Sequence, residues 1–577
     1  MIRSLNVPRI AAWATRGVAV VSLASALTRA EPARWHVLVQ VLPRTLLHVA
    51  AAATALAGVL LLLLAHGLRR RKQRAWLGAV VVLAAATVLH VVKGLDVEEA
   101  TATGLLLLLL LRNRAVFSAR SDPRTRWVVV QAGLSLLALS FVVGLVLVRV
   151  RLAGSAPWSE QVEQVLAGLV GLGGPVGFRH EGDADVVSFT LAGLGLVTAV
   201  VTTYLALRPA EPPPRLLPEE EQRLRGLLDA HPDSLGYFNL RRDKSVVWAP
   251  SGKAAVCYRV VSGVALVSGD PLGDPEAWPG AIAQLLQLAE EHAWTPAVLG
   301  CGERAGRAWR RAGLDVLEIG DEAVVDARDF ALDGRAMRGV RQAVARIARA
   351  GYTSRVRRTS ELSAEDVEEI RAAVDAWRSS ETERGFSMAL GRFGDADDRD
   401  CVLVEARRDG ELRAILHFVP WGRDGLSLDV MRRDRTADNG LNEFLIVAVL
   451  QAAAALGVTQ VSLNFAVFRQ ALASGERLGA GPLLRAWRGV LVFASRWFQI
   501  DSLYRFNAKF RPTWEPRYCC YPGPTHLPRV MLAALEAEAF LTWPRLRRAR
   551  DWGSAPPRVV GCDRSRSSAS GQVTPST

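Results

Sequence analysis

Cysteine, histidine and tyrosine are scarce in this chain, with 6, 9 and 7 among 577 residues. So thin a cysteine set excludes a small disulfide-stapled scaffold. There is no CxxC and no HExxH, and the Cys and His do not cluster, so no metal site is expected. No Ser/His/Asp arrangement suggests a nucleophile. Acidic residues are also in deficit: 57 Asp plus Glu stand against 71 Lys plus Arg, a net charge of +14. A surplus of that size suits polyanionic partners. What is abundant is apolar, since half of all residues are hydrophobic. With the positive mean hydropathy of +0.16, that argues against an entirely soluble reading.

The apolar residues crowd into 1–207. A bilayer core of about 30 Å takes about 20 apolar residues per helix. The segments Ile10–Leu27, Thr45–Gly67, Ala75–Val92, Thr101–Leu111, Trp127–Val148 and Val186–Leu207 predict six spans. Thr101–Leu111 needs its polar flank to complete a crossing. Arg69, Arg70, Arg71, Lys72 and Arg74 lie between the second and third spans. Arg112, Arg114, Arg120, Arg124 and Arg126 lie between the fourth and fifth. The alternate loops are poorer in positive charge. By the positive-inside rule, the N-terminus, the two basic loops and everything after 207 are cytoplasmic, and the expected location is the plasma membrane. Gln161–Gly177 is too interrupted to span and reads as an interfacial or re-entrant segment.

Residues 208–218 (RPAEPPPRLLP) form a proline-rich linker. Beyond it, helices and short strands alternate. Strands are expected at Ser245–Ala249, Lys253–Val260 and Val264–Ser268, with a helix at Trp278–His292. A second unit of the same style starts near Asp333. It has helices at Ala336–Ala350, Ala364–Thr382 and Leu441–Leu456, and a hairpin of Cys401–Ala406 with Glu411–Pro420 turning at Asp409-Gly410. The expected organisation is a membrane domain over 1–207, the linker, α/β folds over 219–332 and 333–550, and a disordered tail over 551–577, rich in Ser, Pro and Gly.

Asp429 and Arg432 stand three apart at the end of a predicted strand. Asp429 could hold an ammonium or act as a base, or the two could be a plain surface ion pair. Lys509 and Arg511, with Arg505 before them, sit in YRFNAKFRPTWEPRY, where cations and aromatics (Arg517 among them) interleave. That pattern suits phosphate contacts and stacking on bases, oxyanion stabilisation, or cation–π packing at a core edge. The helix bearing Arg335, Arg338, Arg341, Arg346 and Arg349 has no acids. It could bind an RNA backbone or anionic headgroups, or simply be a solvated face. His417 reads as a satisfied core residue, and Cys519-Cys520 as packing. The turn Arg433–Gly440 (RDRTADNG) lacks the Gly-rich pattern that cradles a CoA pyrophosphate, which points to a different acyl donor.

Several of these stretches resemble one family. They are VSGDPLGDP (267–275), GRAMRGVRQAVARIARAGY (334–352), GFSMALGRFGD (385–395), HFVPWGRDGLSLDVMRRDRTADNGLNEFL (417–445), VSLNFAVFR (461–469) and YRFNAKFRPTWEPRY (504–518). Together they resemble the phosphatidylglycerol lysyltransferases, the multiple-peptide-resistance-factor aminoacyltransferases, in particular the actinobacterial branch. The resemblance implies two tandem acetyltransferase-like (GNAT) folds. It also implies aminoacyl transfer, lysyl first among the candidates, from aminoacyl-tRNA to phosphatidylglycerol, which gives resistance to cationic peptides. It carries the family's functional residues to Asp429, Arg432, Lys509 and Arg511, with Glu443 and Glu476 as further substrate contacts. Asp429 and Glu443 would recognise the amino-acid ammonium, and Lys509 and Arg511 the tRNA terminal phosphate or the carbonyl oxyanion. The tRNA ester is already activated, so no cofactor is expected. The sequence shows no synthetase-like region, so a separate aminoacyl-tRNA synthetase is expected to supply the donor. Transfer to another lipid hydroxyl such as diacylglycerol remains open, as does a lipid flippase or transporter with a regulatory cytoplasmic domain.

Overall fold

The computed structural model describes residues 7–27, 44–94, 97–117, 119, 125–207, 215–377, 385–467 and 500–541. Glu476, residues 208–214 of the linker and the 551–577 tail lie outside them. The chain divides into two compact units, Met1–Pro212 with Gln287–Trp294, and Pro213–Leu286 with Thr295–Thr577.

The first unit is helical: α1 (Val7–Leu27), α2 (Arg44–Arg69), α3 (Gln73–Gly94), α4 (Val97–Arg112), α5 (Thr125–Arg151), α6 (Trp158–Leu169) and α7 (Glu181–Leu207). Leucines and alanines of α1–α4, such as Ala19, Leu61, Leu68, Leu83 and Leu110, make one core. Val148, Val165, Leu169, Val187 and Leu191 make another among α5–α7. The α6–α7 approach depends on glycine, because a Cβ on Gly195 would collide with the Leu169 carbonyl oxygen.

Among the described residues, four helical stretches are long and apolar enough to cross a membrane: Ala52–Arg69, Gln73–His90, Val129–Arg151 and Gly182–Leu207. The other two expected spans are not among these four. α4 has 16 residues, about 24 Å at 1.5 Å each, and α1 is interrupted by Arg9 and Arg16. Large apolar side chains point outward from α5 and α7, with Phe189 84% exposed. That is the surface of a protein whose helices meet lipid. The Gln161–Gly177 segment begins within α6, which at 12 residues is too short to span.

The second unit is α/β. In chain order it has α8 (Pro218–Arg225), β1 (Ser245–Trp248), β2 (Ala254–Val261), β3 (Val264–Ser268), β4 (Leu272–Gly273), α9 (Trp278–Glu291), β5 (Thr295–Cys301), α10 (Glu303–Arg311) and β6 (Asp315–Asp326). Then come α11 (Arg338–Arg349), β7 (Tyr352–Arg358), α12 (Ala364–Ala376), β8 (Val402–Arg408), β9 (Glu411–Trp421), β10 (Gly425–Arg433), α13 (Leu441–Leu456), β11 (Gln460–Val467), α14 (Ile500–Ala508), β12 (Thr513–Tyr521) and α15 (Leu527–Ala537).

Where the sequence suggests consecutive units with a sheet each, the structure joins all these strands in one twelve-stranded sheet. Its order is β1-β2-β3-β5-β12-β6-β11-β10-β9-β8-β7, with β4 beside β2. β12 does the joining, antiparallel to both β5 and β6. The sheet is mostly antiparallel, with two parallel pairs. β3 and β5 are connected through α9, and β10 and β11 through α13. Such crossovers leave the carboxyl ends of the parallel strands together at one edge, where ligands bind in α/β sheets. α13 is apolar on nearly every face because it is buried, with Leu441, Leu445, Ile446 and Val449 packed on the second-half core.

Candidate functional site

β10 and β11 pair only as far as Gly425–Gln460, Leu426–Val461 and Ser427–Ser462. Beyond that register they separate. On its other side β10 stays paired with β9, but the register shifts between Leu428 and Val430. Asp429 is therefore the extra residue of a β-bulge, a device that re-aims a side chain and recurs beside active sites.

That carboxylate has no solvent exposure. Its Oδ2 lies 2.7 Å from His417 Nδ1 on β9, and its Oδ1 accepts the Leu390 N–H at 2.7 Å. Phe393 stands edge-on to the His417 ring at 5.3 Å. Asp429 thus engages both oxygens and acts as a hold on the 385–395 segment, instead of opening onto solvent to meet an ammonium. His417 is buried and partnered.

The same segment is gripped from other elements. Arg241 Nη1 donates to the Gly385 and Ala389 carbonyls at 2.6 and 2.9 Å. The Glu538 carboxylate accepts from the Phe386 and Ser387 N–H groups at 2.7 and 3.1 Å. The fully buried Lys244 lies 4.7 Å from the Phe386 ring centroid. Burial, reinforced by Arg241, holds the Lys244 ammonium down to about 7. Lys244, Arg241 and Glu538 carry no motif signal, and only their burial reveals them.

At the mouth between the diverging strands, the turn 434–440 leads into α13. Its last residue must be glycine, because Gly440 has φ +106° and a Cβ there would crowd Arg346 Nη2 at 3.0 Å. Glu443 lies in the first turn of α13, and Lys509 Nζ donates to its Oε1 at 2.8 Å. Lys509 is 46% exposed and Glu443 is mostly covered. Arg505 and Arg511 are exposed nearby in sequence, with Arg511 at φ +53° in the turn after α14. Arg432 is directed elsewhere, its Nη1 donating to the Val374 carbonyl of α12 at 2.8 Å. The structure therefore brings Lys509 and Glu443 together, whereas no hydrogen bond or ion pair among the described residues joins Asp429 to either.

α11 presents its basic face beside this turn. Arg335, Arg338 and Arg341 are exposed, while Val340 and Ile347 are buried. Arg346 Nη2 donates to the Asn439 carbonyl at 2.6 Å, and Tyr352 Oη donates to Asp438 at 3.0 Å. Helix and turn are thereby fastened together.

One expectation is corrected. Arg517 does not face a phosphate, because it is buried in the middle of the sheet. It meets Asp233 at 2.8 Å, donates through Nε to Glu322 at 2.9 Å, and donates to Ser234 Oγ at 2.6 Å. Glu322 also accepts from Ser462 of β11. Nearby Asp270 accepts the Gly302 N–H at 2.7 Å and is pushed up to about 7, chiefly by burial and by Asp233. Among the described residues no group of His, Cys, Asp and Glu is placed to hold a metal ion.

The family described as phosphatidylglycerol lysyltransferase, C-terminal, matches residues 225–521, just over half of the chain. The chain belongs to that family. A curated relative, the lysylphosphatidylglycerol biosynthesis bifunctional protein LysX of Rhodococcus jostii, is 43% identical over 500 residues, which are 84% of this chain and 44% of the relative. The protein of the same name from Mycobacterium avium is 50% identical over 358 residues, 62% of this chain and 30% of the relative. The chain thus spans less than half the length of these relatives. The solved structure of L-PGS from Bacillus licheniformis is similar in fold, with a TM-score of 0.50 and 23% identity, covering 57% of this chain and 99% of that one. The matched residues lie in the α/β unit, which here follows a set of apolar helices fit for a membrane.

Proposed function

We propose that this chain transfers a lysyl group from lysyl-tRNA to a hydroxyl of phosphatidylglycerol. The ester to the tRNA ribose breaks, an ester to the glycerol headgroup forms, and the hydroxyl proton passes to the departing ribose oxygen. The observation that carries this reading is family membership across 225–521. The paired Lys509–Glu443 at the mouth of the diverging β10 and β11 supports it.

In this reading Lys509 steadies the carbonyl oxyanion or the terminal tRNA phosphate, and Glu443 sets its position and meets the amino-acid ammonium. Arg505 and Arg511 bind phosphates near the tRNA 3′ end, and Arg335, Arg338 and Arg341 bind the RNA backbone further on. Asp429 and Arg432 are positioning residues, holding residues 385–395 and α12 against β10. Because the donor ester is activated, the work is positioning and charge stabilisation, and no cofactor takes part. The two parallel crossovers support tandem acetyltransferase-like folds. The basic turns support a six-span plasma-membrane unit with a cytoplasmic N-terminus and α/β domain.

The test is to produce the full chain in a bacterium whose lipids contain no aminoacylated phosphatidylglycerol and to analyse the lipid extract by mass spectrometry. The expected result is a base-labile lipid heavier than phosphatidylglycerol by one lysyl group. A different added mass would change the amino acid, and a modified diacylglycerol would change the acceptor. No new lipid, with folded protein in the membrane, would refute the reading.

A further inference from the structure

The basic end of the helical unit contains a pocket to which the proposed transfer assigns no role. It is a cavity of about 480 Å³, lined by Gln73, Trp76, Arg112, Arg114, Ala115 and Phe117. The amino end of α3 and the carboxyl end of α4 meet here, and the segment after α4 folds back on the α2–α3 turn. Gln73 N–H donates to the Ala119 carbonyl at 3.3 Å, and Ala119 N–H donates to the Arg71 carbonyl at 3.1 Å. Trp76 is buried and rigidly set, its Nε1 donating to the Leu110 carbonyl at 2.8 Å. The Arg114 guanidinium lies 5.6 Å from the Trp76 ring centroid.

Positive charge is in surplus at this end. Arg112 and Arg114 are exposed, and neither forms an ion pair among the described residues. Lys72, in the same turn, is held down to about 8 by burial and by Arg70 and Arg74. The acids of α4, Glu98 and Glu99, are in its first turn at the opposite end. Leu111, next to Arg112, and, one turn further along, Leu77 of α3 and Leu108 of α4 are exposed. A ligand matching all of this has an anionic head and apolar tails.

We propose that this pocket binds the phosphodiester of an anionic phospholipid. Arg112 and Arg114 contact the phosphate oxygens, the Gln73 side-chain carboxamide supplies a further donor, and the acyl chains run along Leu77, Leu108 and Leu111. Basic pockets between membrane helices recognise headgroups in this manner. The inference rests on the membrane reading of the helical unit and not on the transfer chemistry.

The test uses the full chain in detergent, with bound lipid counted by native mass spectrometry after adding dioleoyl phosphatidylglycerol or dioleoyl phosphatidylcholine. The expected result is preferential retention of the anionic lipid, reduced about thirtyfold in affinity in the Arg112→Gln/Arg114→Gln variant and unchanged in the Arg149→Gln control. A thermal melt checks that the double variant is folded. sn-Glycerol 1-phosphate should not displace the lipid, and displacement at equal concentration would assign the pocket to soluble phosphate esters instead. Equal retention of the two lipids, or undiminished retention in a folded double variant, would overturn the proposal. The same expectations hold in a Lys509→Met background, so failure here is separable from failure of the transfer reading.

Discussion

Lys509 Nζ donates to Glu443 Oε1 at 2.8 Å, joining the turn after α14 to the first turn of α13. The pair links a cation with free surface to a carboxylate that is mostly covered. The carboxylate fixes where the ammonium stands, and the ammonium keeps donors to spare for a ligand.

Lys509→Met should therefore lower the rate of aminoacyl transfer by about 10²-fold or more, as the loss of one oxyanion-stabilising donor does. Thermal stability should change by no more than about 1 kcal/mol, since the pair is partly exposed. Comparing rate with melting temperature separates the two effects.

Asp429→Asn keeps the shape of the side chain but removes the charge facing His417. It should cost about 1.5–3 kcal/mol in chemical denaturation, the range for a hydrogen bond to a charged group. Residues 385–395 should gain hydrogen exchange, because the hold on Leu390 weakens. Unchanged protection there would refute the positioning role.

Arg517→Met should be far more damaging, at about 3–5 kcal/mol, because it leaves Asp233 and Glu322 buried without their cation. Loss of folded, membrane-inserted protein is the expected readout. Arg517→Met combined with Glu322→Gln should recover part of it.

Asp270 predicts a pH dependence of defined sign. Its carboxyl is raised from 3.8 to about 7 in the folded protein, so between those values the folded state binds more protons than the unfolded one. Its contribution to stability is therefore present at low pH and falls as pH rises through 7. Asp270→Asn should flatten the fall in unfolding free energy between pH 5 and 7. Lys244, lowered to about 7, acts above that range with the opposite sign, stability rising with pH up to the ordinary lysine range.

Local features of this fold were legible where one short stretch determines them. The β8–β9 hairpin follows from Asp409-Gly410, which take φ +52° and +82° as a tight hairpin turn requires. α13 follows from an unbroken apolar run. The insertion of β12 between β5 and β6 was not legible, because Cys520 pairs with Val298 and no local pattern encodes a partner so distant in sequence. For the same reason Arg517 read as part of an exposed cationic segment. Its three acceptors come from elsewhere in the chain, and only the assembled sheet shows it buried. At the candidate site, Asp429 was found through its motif, but its bulge is a property of strand register. The 385–395 motif was quoted only as a family signature, and its clamps, Arg241, Lys244 and Glu538, carry no sequence signal of their own.

The central claim is best tested by the initial rate at which labelled lysine moves from lysyl-tRNA into phosphatidylglycerol vesicles containing the full chain. The predicted result is label in a base-labile lipid, abolished by ribonuclease pretreatment and reduced at least about a hundredfold by Lys509→Met. Label transfer that survives ribonuclease, or no transfer by folded protein that binds the tRNA, would contradict it.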